Sequence, residues 1–172
     1  RSHGITRELK KLKNKNEGPW YYEQHNLGFN YRLNEIQAAL GISQLKRLEE
    51  FVKKRNDIAN KYFEYFKDLS ISLPLISDGH ISSFHLYVIR INKDNVNISR
   101  KEVFEKMRDA NIGVNVHYIP IHLQPYYKEL GFNKGDFPIA ESYYEEAISI
   151  PIHTKMTAEN QEYIFKTIKN II

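Results

Sequence analysis

Polar aromatic side chains are concentrated in residues 117–127, which read HYIPIHLQPYY. Histidine and tyrosine rings can both stack on a ligand and hydrogen-bond to it. Pro120 and Pro125 restrict the backbone between them, so less conformational entropy is lost when a ligand binds. These properties predict a ligand-recognition loop. An equally open interpretation is that the rings cover a hydrophobic edge and hydrogen-bond to the backbone.

A second group of candidate residues stands at the entrance to a predicted helix, within GFNYRLNEIQAALG, residues 28–41. Asn34 can cap the first helical turn, and Gln37 can return the hydrogen bond in a capping box. This local capping accounts for the start of the helix. It leaves Asn30, Tyr31 and Arg32 without a structural task.

Other kinds of chemistry find little support in the residue spacing. A metal site built from His117, His122 and His153 is the competing hypothesis, but the spacing matches no common zinc motif and residues 117–127 contain no carboxylate. The chain has no cysteine. It also lacks a glycine-rich phosphate loop and the nucleophile elbow of a hydrolase. The sequence therefore contains no self-sufficient catalytic set.

The elements that must position these residues begin with a long helix. Apolar residues recur at three- and four-residue steps over residues 34–68, which predicts one amphipathic helix of about 50 Å. Gly41 inside it costs about 1 kcal/mol relative to alanine, which suggests that another backbone passes close by. A helix of this length is expected to connect two lobes.

Strands and helices alternate in the remainder. Residues 82–91, SSFHLYVIRI, predict a central strand covered on both faces. A helix capped by Ser99 follows, and then a strand over residues 114–118 with Val114, Val116 and Tyr118 on one face. A proline-started helix, the short strand ISIP and a last helix capped by Thr157 complete the pattern. The expected fold class is α/β: a small sheet packed with helices.

Composition supports a globular protein, with 172 residues of which 41% are hydrophobic. No run approaches the roughly 20 apolar residues of a membrane span. The net charge is +4, and the clearest cluster of basic residues lies at residues 7–15. Such a cluster is more typical of a solvated turn than of a nucleic-acid surface. The modest charge surplus fits an anionic small-molecule ligand equally well. Because the chain begins with Arg1 and shows no signal peptide, we expect a cytoplasmic fragment of a longer polypeptide.

Several stretches in the same order resemble the DegT/DnrJ/EryC1/StrS family of pyridoxal-phosphate-dependent sugar aminotransferases. They are residues 18–62, SSFHLYVIRI, HYIPIHLQPYYKELGF, FPIAESYYEEAISIPIH and MTAENQEYIFKTI. The likeness covers essentially the whole chain and implies the C-terminal part of a fold-type-I transferase. GPWYYE before GFNYR, together with HYIPIH, is most similar to the branch that transaminates a UDP-4-keto-6-deoxy-N-acetylhexosamine on the route to pseudaminic acid.

This resemblance implies a role for each candidate residue. Asn30 is expected to reach across a homodimer with shared active sites to the cofactor phosphate of the other subunit, and Arg32 to bind the charge of the substrate. A structural ion pair of Arg32 with Glu35 or Glu49 is the alternative. The loop residues implied to face the UDP-sugar are His117, Tyr118, Ile119, Pro120 and His122.

The family's Schiff-base lysine lies upstream of the segment that begins RSHG, and no lysine of this chain stands in the matching motif. No residue is therefore assigned a catalytic role, and the chain alone is expected to be inactive. In the complete enzyme, glutamate is the expected amino donor. The implied domains are a loop-rich remnant (1–33), the connecting helix (34–68) and a small C-terminal domain (69–172). The alternatives are a non-catalytic module that binds sugar nucleotides or polyanions, and a dimerisation domain.

Overall fold

The computed structural model describes residues 3–14, 18–92 and 95–172. The chain divides into two compact units, Arg1–Leu48 and Glu49–Ile172. Helices and two small antiparallel sheets make up these units, so the predicted α/β class is confirmed. The roles assigned to residues 1–33, 34–68 and 69–172 stay predictions.

The first unit contains a short hairpin and one helix. Strand β1 (Ile5–Thr6) pairs antiparallel with β2 (Glu23–Gln24), and helix α1 (Glu35–Leu45) follows. Gly4 has a φ of +74°, and a Cβ there would lie 1.7 Å from the Asn26 carbonyl oxygen. Only glycine fits this position, because any side chain would collide with the returning backbone.

The predicted capping box at the start of α1 is confirmed. The Asn34 side chain accepts a hydrogen bond from the Gln37 N–H at 2.9 Å, and the Gln37 side chain accepts one from the Asn34 N–H at 3.2 Å. The predicted close approach of another backbone to Gly41 is wrong, since nothing in the described part of the chain lies within 4 Å of a Cβ built there.

The prediction of one unbroken helix over residues 34–68 is also wrong. Helix α1 ends at Leu45, and α2 (Leu48–Phe66) begins three residues later. Between them, the Arg47 N–H bonds to the Gln44 carbonyl at 3.0 Å, so the helical ladder tightens to a three-residue spacing. Hydrophobic periodicity could not reveal this break, because the sequence there has neither proline nor glycine and the apolar repeat continues across it.

The second unit is built on a two-stranded sheet. Strand β3 (Tyr87–Arg90) pairs antiparallel with β4 (Ala147–Ile150), with Tyr87 opposite Ile150. On the outer edge of β3 a single bridge joins Ser72 to Arg90, and on the outer edge of β4 another joins Asn115 to Ser149.

These pairings shorten two predicted strands. The strand expected over residues 82–91 spans only Tyr87–Arg90, and only its Tyr87 and Ile89 side chains are fully buried. One face is therefore covered completely, not both. The strand expected over residues 114–118 is reduced to the bridge at Asn115, because Asn115 alone of these residues pairs with β4.

The other elements of this unit are helices. They are α3 (Arg100–Asp109), a 3₁₀ turn (Ile121–Leu123), α4 (Pro125–Glu129), α5 (Pro138–Glu146) and α6 (Ala158–Ile171). Capping boxes start α3 at Ser99 and α6 at Thr157, as the sequence predicts for both caps. No helix in the described ranges is long and apolar enough to cross a membrane.

Helices α2, α3 and α6 pack with both strands around one hydrophobic core. Its fully buried members include Tyr62, Phe66, Tyr87, Ile89, Val103, Met107, Ile148 and Ile168. The hydroxyl of Tyr62 donates to the Pro151 carbonyl at 2.9 Å, so this deeply buried ring keeps its polar group satisfied. Residues 117–127, named the recognition loop after their predicted role, follow the edge bridge at Asn115 and are thereby anchored to this core.

Candidate functional site

Asn30 and Arg32 lie on an exposed segment between β2 and α1. The rings of Phe29 and Tyr31 on this segment stack with their centroids 5.1 Å apart. Within the described ranges, neither Asn30 nor Arg32 has a hydrogen bond or ion pair with another residue. The alternative in which Arg32 pairs with Glu35 is therefore not found in this structure, whereas a pair with Glu49, which belongs to the other unit, stays a prediction.

A cavity of about 690 Å³ opens beside Arg32 in the first unit. It is lined by His3, Ile5, Arg7, Tyr22, Gln24, Gly28 and Arg32. The Arg7 guanidinium lies over the Tyr22 ring, 5.6 Å from the ring centroid. This contact holds Arg7 in place as the second guanidinium of the cavity, beside that of Arg32. Two guanidiniums without a carboxylate among the lining residues suit an anionic group, such as a phosphate.

The Glu23 carboxylate of β2 binds the backbone of residues 13 and 14. Glu23 accepts hydrogen bonds from the backbone N–H groups of Lys13 and Asn14, each at 2.8 Å, and pairs with His25 at 2.6 Å. These hydrogen bonds lower the pKa of Glu23 to about 2, and the two from backbone N–H groups have the largest effect. The ionised carboxylate therefore ties residues 13 and 14 to the hairpin.

Protonation of Glu23 is expected to release the backbone of residues 13 and 14. Because the folded-state pKa lies below the usual value, the stabilisation is complete above about pH 4.5 and is lost as the pH falls towards about 2. Amide hydrogen exchange, corrected for intrinsic rates, should show protection of the Lys13 and Asn14 amides at pH 6 that fades in this window. Glu23→Gln should remove the pH dependence, whereas Glu8→Gln, a change in an exposed pair with Lys11, should preserve it. Equal protection of both amides at pH 6 and pH 2 in the wild type would contradict this account.

In the second unit, His117 is held from both ring nitrogens. Its Nδ1 lies 2.8 Å from the Ser149 hydroxyl, and its Nε2 lies 3.3 Å from the Asn115 side-chain nitrogen. Since that amide nitrogen can only donate, Nε2 accepts and the proton of the neutral ring lies on Nδ1. The next residue, Tyr118, follows a cis peptide bond and is exposed, with its ring edge against the His117 ring.

His122 has a different environment from the rest of the recognition loop. It is buried in the 3₁₀ turn, and its Nε2 lies 2.7 Å from Glu141 Oε1. The pKa of the Glu141 carboxyl is lowered, mainly by this hydrogen bond and then by the Gly135 N–H. A direct contact of His122 with substrate stays a prediction. The Nε2 atom of His122 is already bonded to Glu141.

Two adjoining cavities lie where the recognition loop meets the start of α5. The larger, about 640 Å³, is lined by Tyr118, Pro120, Asp136, Phe137, Pro138, Ile139, Ala140 and Tyr143. The smaller, about 370 Å³, shares Pro120, Phe137 and Ala140 with it and adds Ile121, His122, Tyr127 and Phe132. Apolar and aromatic walls of this kind suit a flat or cyclic ligand.

The structure brings only part of the predicted recognition set together. Tyr118 and Pro120 share the larger cavity, whereas His117 lines another cavity of about 390 Å³ beside Arg108. Ile119 is half-exposed and lines neither. Asn30 and Arg32 belong to the other unit. In the described ranges, no group of three histidine or acidic side chains has the arrangement of a metal site.

Three residues of this region were not predicted from the sequence: Glu141, Ser149 and Asn115. Glu141 reads as an ordinary acidic residue in the first turn of a helix, and Ser149 as a small residue within a buried strand. Asn115 reads as an ordinary polar residue within the predicted strand over residues 114–118. Their partners are fixed by tertiary packing, as the separation of 32 residues between His117 and Ser149 illustrates.

Comparison with known proteins gives the class to which this chain belongs. The sequence model of the DegT/DnrJ/EryC1/StrS aminotransferase family matches residues 1–169, so the chain belongs to that family. It is 42% identical to the uncharacterised protein MJ1066 of Methanocaldococcus jannaschii, covering 100% of this chain and 45% of that protein.

Two further relatives carry a named activity. The chain is 36% identical to a UDP-4-amino-4,6-dideoxy-N-acetyl-beta-L-altrosamine transaminase of Campylobacter jejuni, covering 100% of this chain and 43% of that protein. Helicobacter pylori PseC, an aminotransferase involved in pseudaminic acid biosynthesis, superposes with a TM-score of 0.80 at 33% identity, over 99% of this chain and 43% of the other. The chain thus spans less than half the length of the curated relatives that it matches.

Proposed function

We propose that the full-length protein containing this chain transfers an amino group from glutamate to the ketone of a UDP-4-keto-6-deoxy-N-acetylhexosamine, as in pseudaminic acid biosynthesis. Membership of the aminotransferase family supports the reaction class, and the Campylobacter and Helicobacter relatives support the substrate. The observation that carries the proposal is the exposed Arg32 beside a cavity with a second guanidinium. This arrangement suits the diphosphate of a sugar nucleotide.

Pyridoxal phosphate is the cofactor of this family, and a related sugar aminotransferase of Streptococcus pneumoniae has been solved in PLP and PMP forms. When bound, it carries the amino group between the two substrates and acts as an electron sink. Asn30 fits this group, because its exposed amide can donate a hydrogen bond to the phosphate. We assign Asn30 to the cofactor of the partner subunit in a cytoplasmic homodimer with shared active sites.

The remaining candidates are assigned to the substrate. Arg32 binds the diphosphate, and Tyr118 and Pro120 contribute a wall to the cavity that receives the ring system. His117, held as the Nδ1–H form, accepts a hydrogen bond from the substrate at Nε2 only in place of the one that Nε2 receives from Asn115. The Schiff-base lysine is proposed to lie outside these 172 residues, so the chain alone is inactive and the test uses the full-length protein.

Arg32→Lys in the full-length protein is expected to raise the KM for the UDP-sugar about ten- to a hundredfold, since lysine keeps the charge but loses the bidentate fork. The affinity for pyridoxal phosphate should change by about twofold or less, because Arg32 is not assigned to the cofactor. Steady-state kinetics and cofactor titration measure the two quantities. Arg100→Lys on α3 is the matched control, because it is the same change at a residue that lines neither the cavity beside Arg32 nor the larger cavity at the recognition loop.

The same assay separates the rival functions. A wild-type protein that binds the UDP-sugar tightly but transfers no amino group from any amino acid would identify a non-catalytic binding module. A protein that dimerises and binds no nucleotide would identify a dimerisation domain. Unchanged kinetics in Arg32→Lys, with an active wild type, would remove Arg32 from the substrate site.

A further inference from the structure

A buried acid–histidine pair joins the recognition loop to α5. The His122 and Glu141 side chains are about nine-tenths buried, and His122 Nε2 lies 2.7 Å from Glu141 Oε1. His122 belongs to the 3₁₀ turn directly after Pro120, whereas Glu141 lies in the first turn of α5. The pair therefore connects two segments that are separated by 19 residues along the chain.

The same carboxylate oxygen also holds the segment that leads into α5. Glu141 Oε1 accepts the Gly135 N–H at 2.8 Å and, more weakly, the Phe137 N–H at 3.5 Å. Phe137 is the residue before the helix and provides no side-chain cap of its own. One carboxylate thus fixes both the 3₁₀ turn and the helix entrance, and its negative charge is favoured at a helix N-terminus.

These two segments supply the lining of the larger cavity. Tyr118 and Pro120 come from the recognition loop, and the other residues come from the entrance and first turns of α5. The His122 and Phe137 rings also pack together, with their centroids 4.8 Å apart. The His122–Glu141 contact therefore sets the distance between the Tyr118–Pro120 segment and the start of α5.

Stability alone is a weak reason to bury such a pair. Two apolar side chains of similar volume would stabilise a core as well or better, because burying charged groups carries a desolvation cost. What an apolar pair would not supply is a directional bond that fixes one geometry. The location of the pair beside a cavity, and not within the main core, points to the same conclusion.

We propose that Glu141 is a positioning residue that acts through His122, holding the Tyr118–Pro120 segment at the spacing from α5 at which the cavity binds the sugar nucleotide. This inference rests on the proposed transaminase function. It also gives His122 a task other than direct contact with substrate.

Glu141→Ala in the full-length protein is expected to raise the KM for the UDP-sugar about tenfold or more, since small displacements of binding groups have effects of this size. The value of kcat should fall less than KM rises, because no residue of this pair is assigned to the reacting atoms. Glu141→Gln should restore KM to within about threefold of the wild type, because the amide oxygen still accepts hydrogen bonds. Glu162→Ala, which removes an exposed glutamate of α6 that pairs with Lys166, is the control and should leave both constants unchanged.

A double-mutant cycle tests whether Glu141 acts through His122. If it does, the rise in KM of the double variant should be smaller than the product of the two single rises, since both changes break the same contact, and only the bonds of Glu141 to the Gly135 and Phe137 N–H groups are lost in addition. Isothermal titration with UDP alone gives a readout that does not depend on turnover, and its dissociation constant should follow the same order among the variants.

The outcomes distinguish this inference from the proposed function. A wild type that transfers no amino group to any nucleotide sugar overturns both. An active wild type in which Glu141→Ala lowers the melting temperature and kcat but leaves KM and UDP affinity unchanged overturns only the positioning role. Additive effects of the two substitutions on KM would likewise overturn action through His122.

Discussion

Replacing Phe66 with alanine is expected to destabilise the Glu49–Ile172 unit by about 3–5 kcal/mol. Phe66 ends α2, is fully buried, and packs against the rings of Tyr62 and Phe165 at 5.5 and 5.8 Å between centroids. Truncation removes the transfer free energy of the ring and leaves a cavity that these aromatic neighbours cannot fill. Urea unfolding of the chain, followed by circular dichroism, measures the loss.

Phe63 offers a matched control, because it is the same residue type in the same helix. Its side chain is 49% exposed, so Phe63→Ala should cost about 1 kcal/mol or less. Equal losses for the two variants would mean that the core does not centre on the buried face of α2. The expected loss for Phe66→Ala is large beside the net stability of about 5–15 kcal/mol of a typical domain.

Asn30→Ala in the full-length protein is expected to weaken pyridoxal phosphate binding about ten- to a hundredfold. The change removes one hydrogen bond to a charged group, worth about 1.5–3 kcal/mol, and each 1.4 kcal/mol is a factor of about ten in affinity. Cofactor titration, followed by absorbance, gives the dissociation constant. Asn34→Ala, four residues away, removes only the helix cap and should leave cofactor affinity unchanged within about twofold.

Mixed dimers test the assignment of Asn30 to the partner's cofactor. At a cofactor concentration well below the weakened dissociation constant, Asn30→Ala subunits and subunits without the Schiff-base lysine should each show little activity alone. In a hybrid dimer, one site combines the intact asparagine with the intact lysine, so random mixing should restore about a quarter of the wild-type activity. If hybrid dimers form but recover no activity, and Asn30→Ala binds the cofactor normally, Asn30 does not bind the partner's cofactor and belongs only to the entrance of helix α1.

Local chemistry made parts of this fold predictable. The capping residues Asn34, Ser99 and Thr157 were identified correctly because a cap and its partner lie three residues apart, within reach of a sequence pattern. The proline-started helix at Pro138 follows from the same kind of rule. The roles predicted for Asn30 and Arg32 rest on family resemblance and not on residue spacing.

Tertiary pairing accounts for what the sequence could not predict. The strand expected at residues 114–118 has the right alternation, but a strand also needs a partner, and only Asn115 has one. The apolar repeat from α1 into α2 hides a break that depends on hydrogen bonds at Lys46 and Arg47. The Glu141 contact with His122 spans 19 residues and leaves no periodic trace.

The single-residue bridges at Ser72 and Asn115 also bear on aggregation. In an antiparallel pair only alternate residues direct their backbone groups outwards, so a strand of four residues has two outward-facing positions. The bridge partners Arg90 and Ser149 occupy one such position each, with both their N–H and C=O groups bonded. Each rim of the sheet is left with one outward position, at Val88 and at Ala147, which is too short a template for another chain to extend by strand addition.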